Sequence, residues 1–257
     1  MALALRGETV QDEAVQDGAV RDDGVAALGR ILAVWAHPDD ETYLAAGVMA
    51  RARDLGNEVV VVTATAGEGG TTDPIQWPPE RLARVRLLEV EAAMAVLGVD
   101  DHRHLGHQDG ACAQVPWEQA VGELTAIIEE TTPDTILTFG PDGITGHPDH
   151  LTVSAWTVEA HKRAGQRSRL LFATTPSEDL ARFEDLHREL GVFIDGFEAC
   201  PPDDDFALDV VLTDEELDRK IVALRAQASQ TTTVVDRMGE SLYREWVDRE
   251  TFVAAPL

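Results

Sequence analysis

Short, nearly unbroken apolar runs that alternate with segments of helical period constrain this chain more than any other feature. The first, Ile31-Leu32-Ala33-Val34-Trp35, is followed by a helix pattern from about Glu41 to Leu55, with Gly56 where a helix would stop. Glu58-Val59-Val60-Val61-Val62-Thr63 and Thr135-Ile136-Leu137-Thr138-Phe139 are further runs of strand length, and Leu170–Thr174 continues the series. Runs that are apolar at every position suit strands covered on both faces, the usual setting of a parallel sheet. Between them lie more helical patterns. One carries Leu82, Val85, Leu88, Ala92 and Val96 as a stripe and ends before Gly98; others run from about Trp117 to Glu130 and onward from His150. Such alternation implies right-handed crossovers and an α/β, Rossmann-like layered fold with a mostly parallel central sheet flanked by helices.

The rest of the chain adds less. His102–Leu105 and Asp209–Leu212 read as strands, and Thr213-Asp214-Glu215-Glu216 has the spacing of a capping box before a helix reaching about Ala228. Residues 1–28 mix acidic, Gln, Gly and Ala residues without sustained period and read as an acidic, flexible extension. With no internal repeat and no second core, residues 29–257 are expected to form one domain.

Composition narrows the function. Acidic residues number 47 against 21 basic ones, a formal charge of −26. So negative a surface repels phosphate backbones and anionic membranes, which argues against nucleic acid as a partner. No stretch approaches the apolar length of a membrane span, and the start lacks the pattern of a secretory signal. Cys112 and Cys200 lie far apart, which suits a reducing compartment and argues against a cysteine-based metal site. The expectation is a cytoplasmic protein; homo-oligomer formation stays open. There is no G-x-S-x-G elbow and no G-x-G-x-x-G fingerprint, so neither a serine hydrolase nor a dinucleotide-binding site is expected.

Two segments carry chemistry. Ala36-His37-Pro38-Asp39-Asp40-Glu41 directly follows the first apolar run. Ligands of open parallel sheets bind beyond the carboxyl ends of strands, so the place is suggestive. A proline followed by three acids is also simply a good helix start. His37 and Asp40, three apart, can be aimed at one point by a single helical turn, leaving Asp39 free. Gly146-His147-Pro148-Asp149-His150 repeats the arrangement after the run ending at Phe139. His37, Asp40 and one of the two later histidines supply three protein ligands with a fourth position open, the pattern of a catalytic rather than a structural zinc site.

Together, A-H-P-D-D-E and H-P-D-H resemble the LmbE-like (PIG-L type) deacetylase family. Thr65-Ala66-Gly67-Glu68-Gly69, Arg86-Leu87-Leu88-Glu89 with Ala93 and Leu97-Gly98, Pro133-Asp134, Phe139 to Gly143, and Lys220 through Ser229-Gln230 are similar to it as well. The resemblance spans most of residues 30–255. It implies a hydrolase that removes acetyl from an N-acetylglucosamine-type sugar or glycoconjugate, a small-molecule substrate. His37, Asp40 and His150 would bind the metal, normally Zn²⁺ with Fe²⁺ the alternative. Asp39 would be the general base, His147 would stabilise the oxyanion or protonate the leaving amine, and Asp149 would orient a histidine. Arg86 and Asp109 fall where relatives contact sugar hydroxyls, with a surface ion pair and a turn residue as the plainer readings. Thr145 stands where some relatives carry tyrosine, and Gln227 where histidine is common.

Alternatives keep the same site. One is an amidase acting on a thiol-sugar conjugate or a glycosylated natural product; another is a metal-bearing sugar-binding module. Trp77, in the Gly- and Pro-rich stretch 66–79, is the tryptophan best placed to stack on a sugar. His102, His104 and His107 lack a carboxylate pattern and read as strand and loop residues.

Overall fold

The computed structural model describes residues 24–71, 73–197, 199 and 205–256. The apolar runs become β1 (Ile31–Trp35), β2 (Val59–Thr65), β4 (Thr135–Phe139) and β5 (Arg169–Thr174), with β3 (Asp101–His107) beside β2. Helices α1 (Asp40–Asp54), α2 (Pro79–Leu97), α3 (Trp117–Thr131) and α4 (Pro148–Arg163) make the crossovers. After β5 come α5 (Ser177–Arg182), α6 (Glu184–Leu190), β6 (Leu208–Val211), α7 (Asp214–Ala226), α8 (Ala228–Met238), α9 (Glu240–Trp246) and β7 (Arg249–Ala254). The seven strands lie in the order β3-β2-β1-β4-β5-β7-β6. The first five are mutually parallel, whereas β7 runs antiparallel to both β5 and β6.

Every residue of β1 and β4 is buried, as expected of central strands covered by helices on both faces. The chain order reverses at β1: β2 lies on one side and β4 on the other. Beyond their carboxyl ends the two crossover loops part and leave a crevice, the general ligand position in open α/β sheets.

Three details depart from expectation. The buried face of α2 carries Leu82, Arg86, Val90, Ala93, Met94 and Leu97, while Leu88 is 72% exposed. Leucine at 88 suggested a stripe rotated away from the true one, because the sequence gives no sign that an arginine is drawn inward. Val25 and Leu28, assigned to the extension at 1–28, sit in a short 3-10 helix and are buried in the core. The remainder of that extension, 1–23, lies outside the described residues. The final strand β7 and the four short helices were not anticipated.

Candidate metal centre

The β1–α1 loop delivers His37, Asp39 and Asp40, and the start of α4 delivers His147, Asp149 and His150. Each set follows one of the two central strands on either side of the crevice. His150 stacks flat on Phe139, with ring centroids 4.1 Å apart. Its Nδ1 lies 3.0 Å from the Gly143 carbonyl and therefore carries the proton, which leaves the Nε2 lone pair free. On the other side, His37 Nε2 lies 3.1 Å from Asp109 Oδ1 and 3.3 Å from Asp149 Oδ2. It donates to these carboxylates, so the His37 lone pair is on Nδ1.

The two lone pairs face one another: His150 Nε2 and His37 Nδ1 are 3.2 Å apart. The Asp40 carboxylate closes the triangle, 3.4 Å from His150 Nε2 and 3.5 Å from His37 Nδ1. Three potential donors converging this way suit a cation among them, and a proton on His37 Nδ1 would have to leave for a metal ion to take that place. Donors about 2.0–2.1 Å from a tetrahedral zinc would be separated by about 3.3 Å, which these spacings fit. His147 joins the group, with one ring nitrogen of each of the three histidines mutually within 4.8 Å.

Electrostatics distinguish the members of the cluster. Burial pulls the His150 and His147 pKa values down, which keeps both imidazoles neutral. Burial would lower that of His37 too, but hydrogen bonds to Asp109, Asp149 and Asp40 outweigh it and raise it well above its ordinary value. Asp40 behaves oppositely: burial would raise it, yet His150 and His37 hold it below the usual carboxylate range. Asp109 falls to about 2, chiefly because its bond to His37 overcomes desolvation.

Asp39 stands apart from the converging donors. Its φ of 114° is a conformation that residues with a side chain rarely adopt, and the surroundings hold it there. Its N–H donates to the Glu41 carboxylate at 3.0 Å, and its carbonyl accepts from the amides of Thr42 and Tyr43. Glu41 is fully buried and also accepts from Thr42 Oγ1 at 2.8 Å and Gln227 Nε2 at 2.7 Å. Burial pushes the Asp39 pKa up to about 7, against the pull of Arg86.

Arg86 is buried, with Nη2 3.2 Å from Asp39 Oδ2 and further bonds to the carbonyls of Pro38 and Gly67. It reaches them between Gly67 and Gly70, where a Cβ would lie 2.3 Å and 2.4 Å from its guanidinium. That close approach is the physical need for glycine in the loop after β2. Asp109, on the loop after β3, accepts from the Gly69 amide at 2.8 Å besides touching His37. Asp149 is buried and accepts from the amides of Gly110 and Cys112. All eight residues singled out from the sequence thus come together. Thr145 lies 3.2 Å from His150 Nδ1.

The centre opens into a cavity of about 770 Å³. Trp77 does not line it and instead lies under Arg81, 4.6 Å from ring centroid to guanidinium. Trp246, unremarked in the sequence, lines it together with Phe183 and Phe193. His102 is held between Thr63 and Glu91 in β3, outside the cavity. Glu41 belonged to the first motif but read as a helix-start acid; only its burial reveals its partners.

A Rossmann-like sheet with converging histidine and aspartate donors, a separate part-buried carboxylate and a cavity at its carboxyl edge defines a hydrolase built around a metal-binding cluster. Residues 32–161 match the family described as PIG-L: GlcNAc-PI de-N-acetylase, and the chain belongs to that family of N-deacetylases. It is 32% identical over 236 residues to a 1D-myo-inositol 2-acetamido-2-deoxy-alpha-D-glucopyranoside deacetylase from Mycobacterium sp. (strain KMS), covering 80% of this chain and 76% of that one. A protein of the same name from Streptomyces avermitilis is 37% identical over 157 residues, 52% of this chain and about half (53%) of the relative. Among solved structures, N,N'-diacetylchitobiose deacetylase from Pyrococcus horikoshii shares the fold at a TM-score of 0.61 and 22% identity, over 88% of this chain and 84% of the other.

Proposed function

We propose that this protein is a zinc-dependent hydrolase that removes the acetyl group from an N-acetylglucosamine-type sugar or glycoconjugate. The observation that carries the reading is the convergence of His37 Nδ1, His150 Nε2 and the Asp40 carboxylate at 3.2–3.5 Å, with Asp39 alongside but outside the triangle. His37, Asp40 and His150 are the proposed metal ligands. Two nitrogens and a carboxylate oxygen suit zinc and also ferrous iron; the tetrahedral spacing favours zinc. The ion would supply a Lewis acid for the acetyl carbonyl and bring the pKa of a water molecule toward neutrality.

The chain's own residues do the rest. Asp39, poised near neutrality by burial, takes the proton of the attacking water. Arg86 and Glu41 hold it in place, one by its carboxylate and one by its backbone. His147, half-buried beside His37 and His150, donates to the oxyanion or the departing amine. Asp149 and Asp109 fix the His37 ring so that Nδ1 faces inward, and Asp109 and Arg86 present the edge of the cavity to sugar hydroxyls.

The test is metal analysis together with acetate release from methyl N-acetylglucosaminide, for the wild type, His150→Ala and Asp39→Asn. The reading requires about one zinc per chain, lost with activity in His150→Ala. Asp39→Asn should retain the metal while turnover falls at least about a hundredfold. Full turnover in Asp39→Asn, or unchanged metal in His150→Ala, would sink these roles.

A further inference from the structure

Away from the metal cluster, the cavity changes character. The segment following α6 returns toward the site: the Ile194 amide donates to the Thr145 carbonyl at 3.0 Å, and Phe197 packs so closely on Gly146 that a Cβ there would meet its ring at 2.6 Å. From Phe197 an unbroken series of rings leads away. Phe197 stacks on Phe193 at 5.7 Å, Phe193 meets His187 at 5.0 Å, His187 meets Trp246 at 6.1 Å, and Trp246 meets Tyr43 at 5.6 Å. One end of this wall adjoins His147, and the other is Tyr43 on α1, four residues beyond Asp39. Phe183, Ile194, Val234 and Val247 add carbon surface to the same space, and Ile194 remains 46% exposed.

Several polar groups along this arm are engaged within the protein, while the buried His187 Nδ1 has no partner among the described residues. The Trp246 indole donates to His187 at 3.0 Å, which fixes the indole plane. Arg249 is held by Asp209 and Glu178, and Thr251 Oγ1 by the Thr174 carbonyl. Glu250 accepts from Lys220 and from the amides of Gly47 and Val48. Along the ring wall itself a polyol would displace water with few partners to replace it, which is unfavourable. An aromatic or alicyclic group would bury carbon against carbon.

From this we propose that the arm lined by Phe183, Phe193, Ile194, Val234, Trp246 and Val247 is an aglycone subsite. The substrate would then be an N-acetylglucosamine conjugate whose second moiety is apolar rather than a cyclitol or a further sugar. The inference rests on the deacetylase reading and specifies its substrate. About 770 Å³ is the size of a pocket for a drug-sized ligand, with room beyond a single acetylated hexosamine.

The experiment compares kcat/KM of the zinc-loaded protein on methyl, phenyl, cyclohexyl and inositol N-acetylglucosaminides, using both anomers. Alongside it, calorimetry measures binding of the corresponding deacetylated methyl and phenyl glucosaminides. The phenyl and cyclohexyl compounds should exceed methyl by about ten- to a hundredfold, with inositol no better than methyl. Phenyl glucosaminide should bind tighter than methyl with a more negative heat-capacity change. In Phe193→Ala the phenyl-to-methyl ratio should collapse toward one; a ratio within a single preparation does not depend on the folded fraction. Equal kcat/KM and equal binding for phenyl and methyl, or a preference for inositol, would overturn the subsite while leaving the deacetylase reading intact. Absence of acetate release from every compound would defeat that reading, and the binding comparison would still decide the subsite.

Discussion

At the scale of single residues, the least ordinary feature is that Asp39, the proposed general base, is held in a strained conformation by a carboxylate it does not touch through its side chain. Glu41 caps the Asp39 amide, and Gln227 donates to Glu41 from the break between α7 and α8. Without the Gln227 donor, a fully buried carboxylate would lose a charge-assisted bond worth about 1.5–3 kcal/mol. Part of that loss should appear as misplacement of Asp39. Gln227→Ala is therefore expected to lower kcat about tenfold or more, with zinc content and KM little changed. Gln227→His should restore most of the rate, because an imidazole N–H can donate to the same oxygen. Steady-state kinetics with metal analysis decides it: a Gln227→Ala protein with wild-type kcat, or a histidine variant no better than alanine, would remove Gln227 from the positioning chain.

At the scale of elements, β1, β2, β4 and β5 were legible because strands buried on both faces leave apolar runs that little else produces. β7 was not, since it reads Arg-Glu-Thr-Phe-Val-Ala and its Glu250 is a core group with internal partners rather than a surface charge. The short helices α5, α6 and α9 have too few turns to show a period. The same contrast holds in the site. His37, Asp40 and His150 sit in short motifs at strand ends and can be read directly, whereas Asp109 meets His37 only because β3 lies beside β2. Glu250 also yields an element-scale prediction. With Lys220 it joins α7, β7 and the middle of α1 through a pair whose side chains are both wholly buried, Nζ to Oε1 2.8 Å. Removing one partner strands the other charge in the core. Lys220→Ala or Glu250→Ala should thus cost about 3–5 kcal/mol in urea unfolding. Lys220→Met with Glu250→Gln should cost less than either alanine variant. If the double variant is the least stable of the three, the pair is net stabilising beyond its mutual compensation and this account of it fails.

At the scale of the whole molecule, two kinds of negative charge must be distinguished. The chain carries a formal charge of −26, most of it on solvated side chains, whose repulsion is screened within about 10 Å at 0.1 M salt. The second kind is the cluster of Asp39, Asp40, Asp109 and Asp149 at the parting of the central loops, where Arg86 is the arginine in contact. Salt relieves the first and barely reaches the second. An ion bound to the proposed ligands His37, Asp40 and His150 would relieve the second and tie the β1–α1 loop to α4, so it would favour the folded chain in proportion to its occupancy. At a thousandfold excess over Kd that linkage is worth about 4 kcal/mol. For a chain of this size about 1 kcal/mol moves the thermal midpoint by about 2–4 °C, so chelation should lower it by roughly 10 °C. Because the cluster is buried, the drop should persist at 0.5 M sodium chloride even as the salt raises both midpoints. Asp40→Ala, lacking one of the proposed ligands, should melt at nearly the same temperature with and without chelator. Differential scanning calorimetry in the four conditions separates the cases. A chelation effect that salt abolishes would mean the ion acts on surface charge, and one that survives in Asp40→Ala would place the ion elsewhere in the molecule.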